Sequence, residues 1–298
     1  MATRRAWVLN LDADIELGAV TRYEPRSSVR AAMRVHIHHL APALLAPGDL
    51  LVDEASTPGC ARGLAGRAFC PTPRAIAVLT RAGAEPEPSP DVDVLRRVNG
   101  RGFATALGPT LPGAAFVTDE GAARAILGTR PAVGNAWRVK HAHGMAGRNQ
   151  RVLAPDAHDP RDLAFLQTGL RTGGVQIEPN VDVVDEYALH GMLAPDGALR
   201  VGSLVRQRCD ARGAWVATEP IKEPLEALFE VPVRMNEEVA LVGRALHEAG
   251  YFGPFGVDAY TYRDREGHLR LQPRSEINAR YSMGFAVGFA GAPAQGCP

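Results

Sequence analysis

Acidic, amide and basic side chains alternate near the C-terminus at Glu276, Asn278 and Arg280, and a further acid, Asp258, lies eighteen residues before Glu276. Alternate residues of a β-strand share a face, so the first three side chains are predicted to point the same way. Two carboxylates and an amide oxygen are hard ligands of the kind that binds Mg2+ together with phosphate oxygens. A guanidinium beside them can bind a phosphate or a carboxylate through two hydrogen bonds. The pattern indicates nucleotide chemistry.

A glycine-containing loop supports the same interpretation. A short predicted strand ends at Lys140 and leads into a loop that contains Gly144 and Gly147. Glycines allow the backbone to approach a phosphate closely and to donate N–H groups to it, and a lysine at the strand end can reach the same oxygens. His141 and His143 flank this loop, either as substrate contacts or as ordinary polar loop residues. The segment predicts a phosphate-binding site.

Between these segments, residues 174–181 and 182–191 are predicted to form two strands joined by a bend. A purine can bind along exposed backbone at such a bend. A carboxylate such as that of Glu186 can accept hydrogen bonds from ribose hydroxyls. This segment is therefore a candidate nucleoside site.

The order of these segments resembles the ATP-grasp superfamily: the lysine strand with its glycine loop comes first, followed by the Glu178–Val181 segment, Asp258 and the Glu276–Arg280 segment. D-alanine:D-alanine ligases, glutathione synthetases and biotin carboxylases belong to it, and the resemblance covers about residues 96 to 284. It implies ATP and Mg2+, or Mn2+ in its place, and an acyl-phosphate route that joins a small carboxylate to an amine. A kinase or carboxylase of the same fold, or a non-catalytic nucleotide-binding protein, remains an alternative.

The resemblance also implies a role for each matching residue. Arg101 stands where relatives usually carry an earlier lysine, which leaves its phosphate contact open. The implied roles are metal binding for Asp258, Glu276 and Asn278; phosphate binding for Lys140, Arg101, Gly144 and Gly147; adenine binding for Glu178, Pro179, Asn180 and Val181; ribose binding for Glu186; and contact with the transferring phosphate or the carboxylate substrate for Arg280.

Two further features bear on the site. Arg206 and Arg208 alternate on a predicted strand that would cross the active cleft, so we expect Arg206 to contact the triphosphate or the carboxylate, with a surface position as the alternative. In a tight hairpin with its turn near Asp264, Asp258 would lie opposite about Pro273. A β-bulge at Pro273 is predicted to bring Asp258 level with Glu276.

Other polar clusters are interpreted as structural. An acidic cluster after the first predicted strand has the composition of a metal or amine site, but a solvated strand end is favoured. A histidine cluster lies on a predicted helix, where an interface or surface position is favoured over a metal site. The acidic cluster is Asp12, Asp14 and Glu16, and the histidines are His36, His38 and His39.

The composition is that of an ordinary globular enzyme. The chain has 298 residues, of which 46% are hydrophobic, and its 33 basic residues balance 33 acidic ones. A net charge of zero provides no electrostatic footprint for nucleic acid or an anionic membrane. The four cysteines lack metal-site spacing, which is typical of a reducing cytoplasm. Small-molecule substrates are favoured, and a homodimer is left open.

The order of elements predicts an α/β lobe at residues 1–95, of the kind that precedes an ATP-grasp fold, and an α+β ATP-grasp region at 96–298. The last eight residues are predicted to be unstructured, so a C-terminal closing helix would be short or missing. The predicted elements are strands at 6–11 and 49–53, helices at 27–45, 73–82, 93–107 and 236–249, and a proline-rich linker at 85–90.

Overall fold

The computed structural model describes residues 4–108, 111–145, 147–155, 159–210, 213–225, 228 and 230–290; the predicted unstructured tail lies outside this range. The helices are α1 (Ala13–Leu17), α2 (Ser27–Leu44), α3 (Pro73–Arg81), α4 (Val92–Val98), α5 (Arg101–Ala106), α6 (Glu120–Leu127), α7 (Pro160–Arg171), α8 (Val231–Glu248) and α9 (Phe285–Phe289). The strands are β1 (Arg5–Val8), β2 (Leu50–Leu51), β3 (Ala65–Ala68), β4 (Glu85–Pro86), β5 (Ala115–Val117), β6 (Ala136–His141), β7 (Gln150–Leu153), β8 (Val175–Asn180), β9 (Asp182–Leu193), β10 (Leu199–Val201), β11 (Val205–Cys209), β12 (Trp215–Pro220), β13 (Gly253–Arg263) and β14 (Leu269–Asn278).

The first four strands form a parallel sheet in the order β2-β1-β3-β4. Helices α2 and α3 occupy the predicted positions, and Thr72 caps α3. The predicted linker is partly wrong, because Glu85 and Pro86 pair with β3 as the edge strand β4. An edge strand tolerates proline, since its N–H groups need not all join the ladder. The division of the chain at residue 95 stays a prediction.

One predicted helix, over residues 93–107, is two helices in the structure. The chain breaks at Asn99 and Gly100, between α4 and α5. The Asn99 side chain donates to the carbonyl of Leu95 and accepts from the N–H of Ala279, just beyond β14. These hydrogen bonds fix the position at which the helix is interrupted. As a result, Arg101 begins α5 beside the end of β14 that carries Glu276 and Asn278.

The remaining strands form two sheets. One is antiparallel in the order β5-β8-β6-β7, and the other has the order β12-β11-β9-β13-β14 with β10 paired to β9. The predicted strands at 174–191 exist as β8 and β9, but they belong to different sheets. Only Val181 separates them, so the Glu178–Val181 segment lies where the chain crosses from one sheet to the other.

The register of the last hairpin confirms the predicted bulge. Asp258 pairs with Glu276, whereas Tyr260 pairs with Gln272, and the ladder is irregular between these pairs. Residues 273–275 therefore oppose Ala259 alone, and the extra residues bring both acids to the same level on the same face.

Helix α8 covers the other face of this sheet. It packs on β9, β13 and β14 through an apolar stripe that is fully buried. The stripe includes Val239, Val242 and Leu246. Because α8 shields one face, the face that carries Asp258 and Glu276 is left to form a cavity. None of the described helices is long and apolar enough to cross a membrane.

Candidate active site

A cavity of about 900 Å³ lies between the parallel sheet with its helices and the two antiparallel sheets. This volume falls in the upper part of the range of small-molecule sites. Every residue to which the sequence assigned a site role lines it, with the exception of Arg206. The lining residues among them are Arg101, Lys140, Gly144, Gly147, Glu178, Pro179, Asn180, Val181, Glu186, Asp258, Glu276, Asn278 and Arg280.

Two adjacent carboxylates lie at the centre of the cavity. Asp258 accepts hydrogen bonds from the amide nitrogens of Gln207 and Asn278, both at 2.8 Å. Burial raises the pKa of Asp258 to about 7, and the negative charge of Glu276 adds to the shift. A divalent cation would offset both effects, and the amide of Asn278 turns its nitrogen to Asp258, which leaves its oxygen for other contacts. The donor set therefore fits Mg2+.

Arg101 joins this centre to the glycine loop. Its guanidinium lies 3.0 Å from a carboxylate oxygen of Glu276. A Cβ atom at Gly144 would lie 2.9 Å from the carbonyl oxygen of Arg148 and 3.6 Å from the guanidinium of Arg101. Glycine is thus required because the loop folds back this closely on the carbonyl of Arg148. Gly147 has a φ of 72°, a conformation that favours glycine.

Lys140 and Glu178 form a buried pair across β6 and β8. The ammonium lies 2.5 Å from one carboxylate oxygen of Glu178, whose side chain is 1% exposed. The other oxygen, Oε2, has no hydrogen-bond partner among the described residues. Burial lowers the pKa of Lys140, and the nearby charge of Arg101 adds to this, whereas Glu178 opposes it. An unpartnered buried carboxylate oxygen requires a donor, and a bound ligand can supply one.

Glu186 lies on β9 at the same face as Asp258. Its Oε2 accepts a hydrogen bond of 2.8 Å from the thiol of Cys209 on β11. Burial raises the pKa of Cys209, and the carboxylate of Glu186 raises it further, so the thiol stays protonated and acts as a donor. Cys209 thereby orients Glu186 at the cavity wall.

Arg280 is paired with an acid from the other end of the chain. Its Nε and a terminal nitrogen lie 3.2 and 2.5 Å from the two oxygens of Asp14. The favoured interpretation of the Asp14 cluster as a solvated strand end is wrong, because Asp12 and Asp14 are buried. Asp12 pairs with Arg74. These acids are buried because each has a guanidinium partner.

The structure corrects the expectation for Arg206. On β11, Gln207 points into the cavity and reaches Asp258, so its neighbour Arg206 points to the opposite face. There Arg206 forms ion pairs with Asp185 and Glu223. Its guanidinium also lies over the ring of Tyr187, 5.3 Å from the centroid. Arg206 is therefore a structural ion-pair residue in this arrangement and not a contact of the cavity.

No family model and no curated protein matches the sequence. Among solved structures, N5-carboxyaminoimidazole synthetase from Staphylococcus aureus, complexed with ADP, matches 93% of this chain and 70% of its own, with 12% identity and a TM-score of 0.52. D-alanyl-alanine synthetase A from Vibrio cholerae matches over 94% and 89%, with 12% identity and a TM-score of 0.52. Biotin carboxylase from Campylobacter jejuni, as a β-γ-ATP complex, matches over 96% and 71%, with the same identity and score. The chain has the ATP-grasp fold.

Histidines contribute little to the cavity of this ATP-grasp fold. His141 is stacked on Phe165 and bonded to its carbonyl oxygen, so it belongs to the packing of α7. His143 is half-buried against Gly18, outside the cavity lining. His36 of α2 does line the cavity and lies 6.0 Å from the ring of Trp215. His36 thus faces the cavity, whereas His38 and His39 are exposed on the surface of the helix.

Gln207, Cys209, Tyr260 and Trp215 also line the ATP-grasp cavity and were not predicted from the sequence. The alternation of side chains along a strand could have identified Gln207 and Cys209, because both lie on the face of β11 opposite to Arg206. It requires the pairing of β11 with β9, which the sequence does not state. Because Glu186 pairs with Gln207 in that ladder, Gln207 lies on the same cavity-facing side of the sheet as Glu186.

The opposite faces of β11 provide a matched test. Replacing Gln207 with leucine is expected to raise the Mg2+ concentration for half-maximal ligand binding by about tenfold, because Asp258 loses a fixed donor that orients it. Thermal shift with ADP at graded Mg2+ concentrations measures this. Arg206→Gln, on the other face, should leave the Mg2+ dependence unchanged. A larger effect from Arg206→Gln than from Gln207→Leu would contradict the assignment of faces.

His190 lies beneath the cavity, in a pocket built from glycines. A Cβ atom would lie 3.0 Å from the ring at Gly256, 3.1 Å at Gly284 and 2.7 Å at Gly288. Both ring nitrogens are buried and have no hydrogen-bond partner within the part of the chain that the structure describes. Burial lowers the pKa of His190 to about 4. The imidazole is therefore neutral at physiological pH.

This histidine should make the fold acid-sensitive. Below a pH of about 6.5 the unfolded chain binds a proton at His190, whereas the folded chain binds it only near pH 4. Lowering the pH from 7.5 to 5.0 should thus cost about 2 kcal/mol of unfolding free energy through His190. Urea denaturation at both pH values measures the loss. His190→Leu should reduce it by that amount, and the exposed His38→Asn should not; equal losses in all three proteins would refute the assignment.

Proposed function

We propose that the chain is an ATP-dependent ligase that joins a carboxylate to an amine and releases ADP and phosphate. One observation carries the proposal. Asp258 and Glu276 meet in register, and Asn278 donates to Asp258, in a cavity whose two ends carry different chemistry. One end has the Lys140 and Glu178 pair, and the other has Arg280. A nucleotide at the first end would direct its terminal phosphate across the acids towards the second.

The adenine would bind at the Lys140 and Glu178 end of the cavity, where the chain crosses from β8 to β9. The unpartnered Oε2 of Glu178 can accept a hydrogen bond from the amino group of adenine, and the backbone from Pro179 to Val181 can contact the ring edge. Glu186 can accept ribose hydroxyl hydrogens in place of the Cys209 thiol. Lys140, Arg101 and the glycine loop supply positive charge and backbone N–H groups for the phosphates.

Asp258, Glu276 and Asn278 would hold Mg2+. The ion neutralises phosphate charge when it is bound. A similar structure, the biotin carboxylase domain of a 2-oxoglutarate carboxylase from Hydrogenobacter thermophilus, is a complex with MgADP. The contribution of this chain is to keep two carboxylates adjacent. Gln207 and the bulge hold Asp258 level with Glu276, and Arg101 holds Glu276 in place.

Ligation then requires positioning and charge neutralisation. A carboxylate oxygen of the acid attacks the γ-phosphorus, the bond to the β-bridging oxygen breaks, and ADP leaves. The amine attacks the acyl carbon, phosphate leaves with the bonding electrons, and the amine loses a proton. Arg280 would hold the carboxylate and the acyl phosphate, and Arg101 would neutralise charge on the transferring group.

The lining of the end that carries Arg280 favours a ligase over a carboxylase. A carboxylase that uses bicarbonate needs room for a small anion, whereas this end has several apolar walls beyond the guanidinium. The test is ADP release with pools of acids and amines, compared with bicarbonate alone. Hydroxylamine should trap an acyl phosphate. ADP release that depends on bicarbonate would support a carboxylase, and no binding of MgATP would support a non-catalytic role.

Replacing Lys140 with alanine should raise the Michaelis constant for ATP and lower the catalytic constant, each by about tenfold, because an ammonium on the phosphates acts in both ground and transition states. Lys140→Arg should rescue only in part. Steady-state ADP release per folded molecule measures both effects. The control is Lys222→Ala, the other lysine of the chain, which is exposed. An unchanged ATP dependence in both Lys140 variants would contradict the phosphate assignment.

A further inference from the structure

One end of the cavity carries large apolar side chains around a single ion pair. We call it the Arg280 end and define it as Leu11, Asp14, Met33, His36, Phe69, Arg280 and Met283, all of which line the cavity. Its members come from the loop after β1, from α1 and α2, from the loop after β3 and from the segment after β14. Four of them are large apolar side chains, so a ligand at this end meets hydrocarbon on several sides.

These apolar walls are held by a core of their own. Phe69 belongs to a cluster that joins the parallel sheet to the C-terminal segment, and Leu11 and Met283 pack against it. The cluster includes Trp7, Leu40, Tyr281 and Phe285. Tyr281 lies 5.3 Å from Trp7 and 4.9 Å from Phe285, ring to ring. Packing against this cluster therefore holds Leu11, Phe69 and Met283 in place, and they do not depend on a ligand to assemble.

The charges of this end cancel. Asp14 and Arg280 form a two-pronged ion pair whose side chains are 8% and 13% exposed. The guanidinium lies over the ring of Phe69, 5.5 Å from its centroid. Among the described residues that define this end, no cation besides Arg280 is present. A ligand with one carboxylate can share Arg280 with Asp14, whereas a second anionic group would face Met33, Phe69 and Met283.

We propose that the acid activated by this enzyme carries an apolar side chain, of branched aliphatic to phenyl size, and that Met33, Phe69 and Met283 bind it. The inference rests on the proposed ligase function and adds the class of its substrate. Burial of each methylene group against these walls should raise kcat/KM by about fourfold. An acidic side chain should be rejected, because its charge would lose water without gaining a partner.

The test is ADP formation with hydroxylamine as the amine and a matched set of acids. Acetate, butyrate, 3-phenylpropionate and succinate form one series, and alanine, leucine, phenylalanine and glutamate form the other. The apolar members of a series should exceed acetate or alanine by at least about tenfold in kcat/KM. Equal or higher values for acetate, succinate or glutamate would overturn the inference and leave the ligase standing. ADP formation with none of the acids would overturn both.

Substitutions at this end of the cavity test whether its side chains set the preference for apolar acids. Met283 is half-buried, so Met283→Arg can fold with its charge in the cavity. It should shift the ratio of succinate to 3-phenylpropionate, measured as kcat/KM, by at least about tenfold towards succinate. Met33→Ala should reduce the preference for the phenyl acid. Val35→Arg, on the exposed side of the same helix, should leave the ratio unchanged. An unchanged ratio in folded Met283→Arg and Met33→Ala would overturn the inference.

Discussion

Replacing Glu276 with glutamine is expected to lower turnover by about 10²- to 10³-fold while the protein still unfolds cooperatively. The change removes a negative charge from the centre at which Asp258 and Glu276 meet, but it keeps the size of the side chain. Glu276 is part of a cavity wall and its side chain is 36% exposed, so its loss should cost little packing. ADP release at saturating Mg2+ and ATP measures turnover, and thermal unfolding measures the fold.

The matched control for this variant is Glu266→Gln, in the exposed turn of the same hairpin. It should retain full turnover. Asn278→Ala should resemble Glu276→Gln, because it removes both the amide oxygen and the donor to Asp258. The hairpin would instead be structural if Glu276→Gln melted far below the parent protein and yet kept normal activity per folded molecule.

Local sequence pattern identified those site residues whose partners in the site are also close in the sequence. Glu276 and Asn278 lie at the end of β14 and Arg280 follows two residues later, and Lys140 lies near the end of the strand that leads into its glycine loop. Alternation and loop chemistry act over a few residues, so the sequence alone identified these positions. The bulge was also accessible, because Pro273 cannot donate to the ladder and marks the irregular position.

Arg206 shows where local pattern fails. Two alternating arginines on a strand share a face, but the strand itself does not say which face meets the cavity. That choice depends on the pairing of β11 with β9, and a shift of one residue exchanges the faces. The sequence therefore could not decide whether Arg206 is a site residue, and the register places it on the opposite face.

Asp14 was missed for a related reason. Its partner Arg280 is 266 residues away in the chain, so no window of sequence contains both charges. An isolated acid after a strand is predicted to be solvated, and only a partner makes burial favourable. The crossing between β8 and β9 is similar, because neighbouring strands usually pair and here they enter different sheets.

Arg280→Lys should separate the two halves of the proposed reaction. Lysine keeps the charge but cannot form the two parallel hydrogen bonds that a guanidinium offers to a carboxylate or phosphate. We expect ADP formation to fall by about 10²-fold or more. Binding of a non-hydrolysable ATP analogue with Mg2+, measured by calorimetry, should change by no more than about twofold, since Lys140 and Arg101 remain.

The dependence on the acid should suffer most in this variant, and its Michaelis constant should rise more than that for ATP. Arg270→Lys is the control, because Arg270 pairs with Asp264 on the exposed end of the same hairpin. Equal weakening of ATP and acid would mean that Arg280 serves the triphosphate alone. Full activity would mean that Arg280 does no more than neutralise Asp14, and the carboxylate contact would have to be sought at another cation, of which Arg101 is the nearest to the acid pair because it already contacts Glu276.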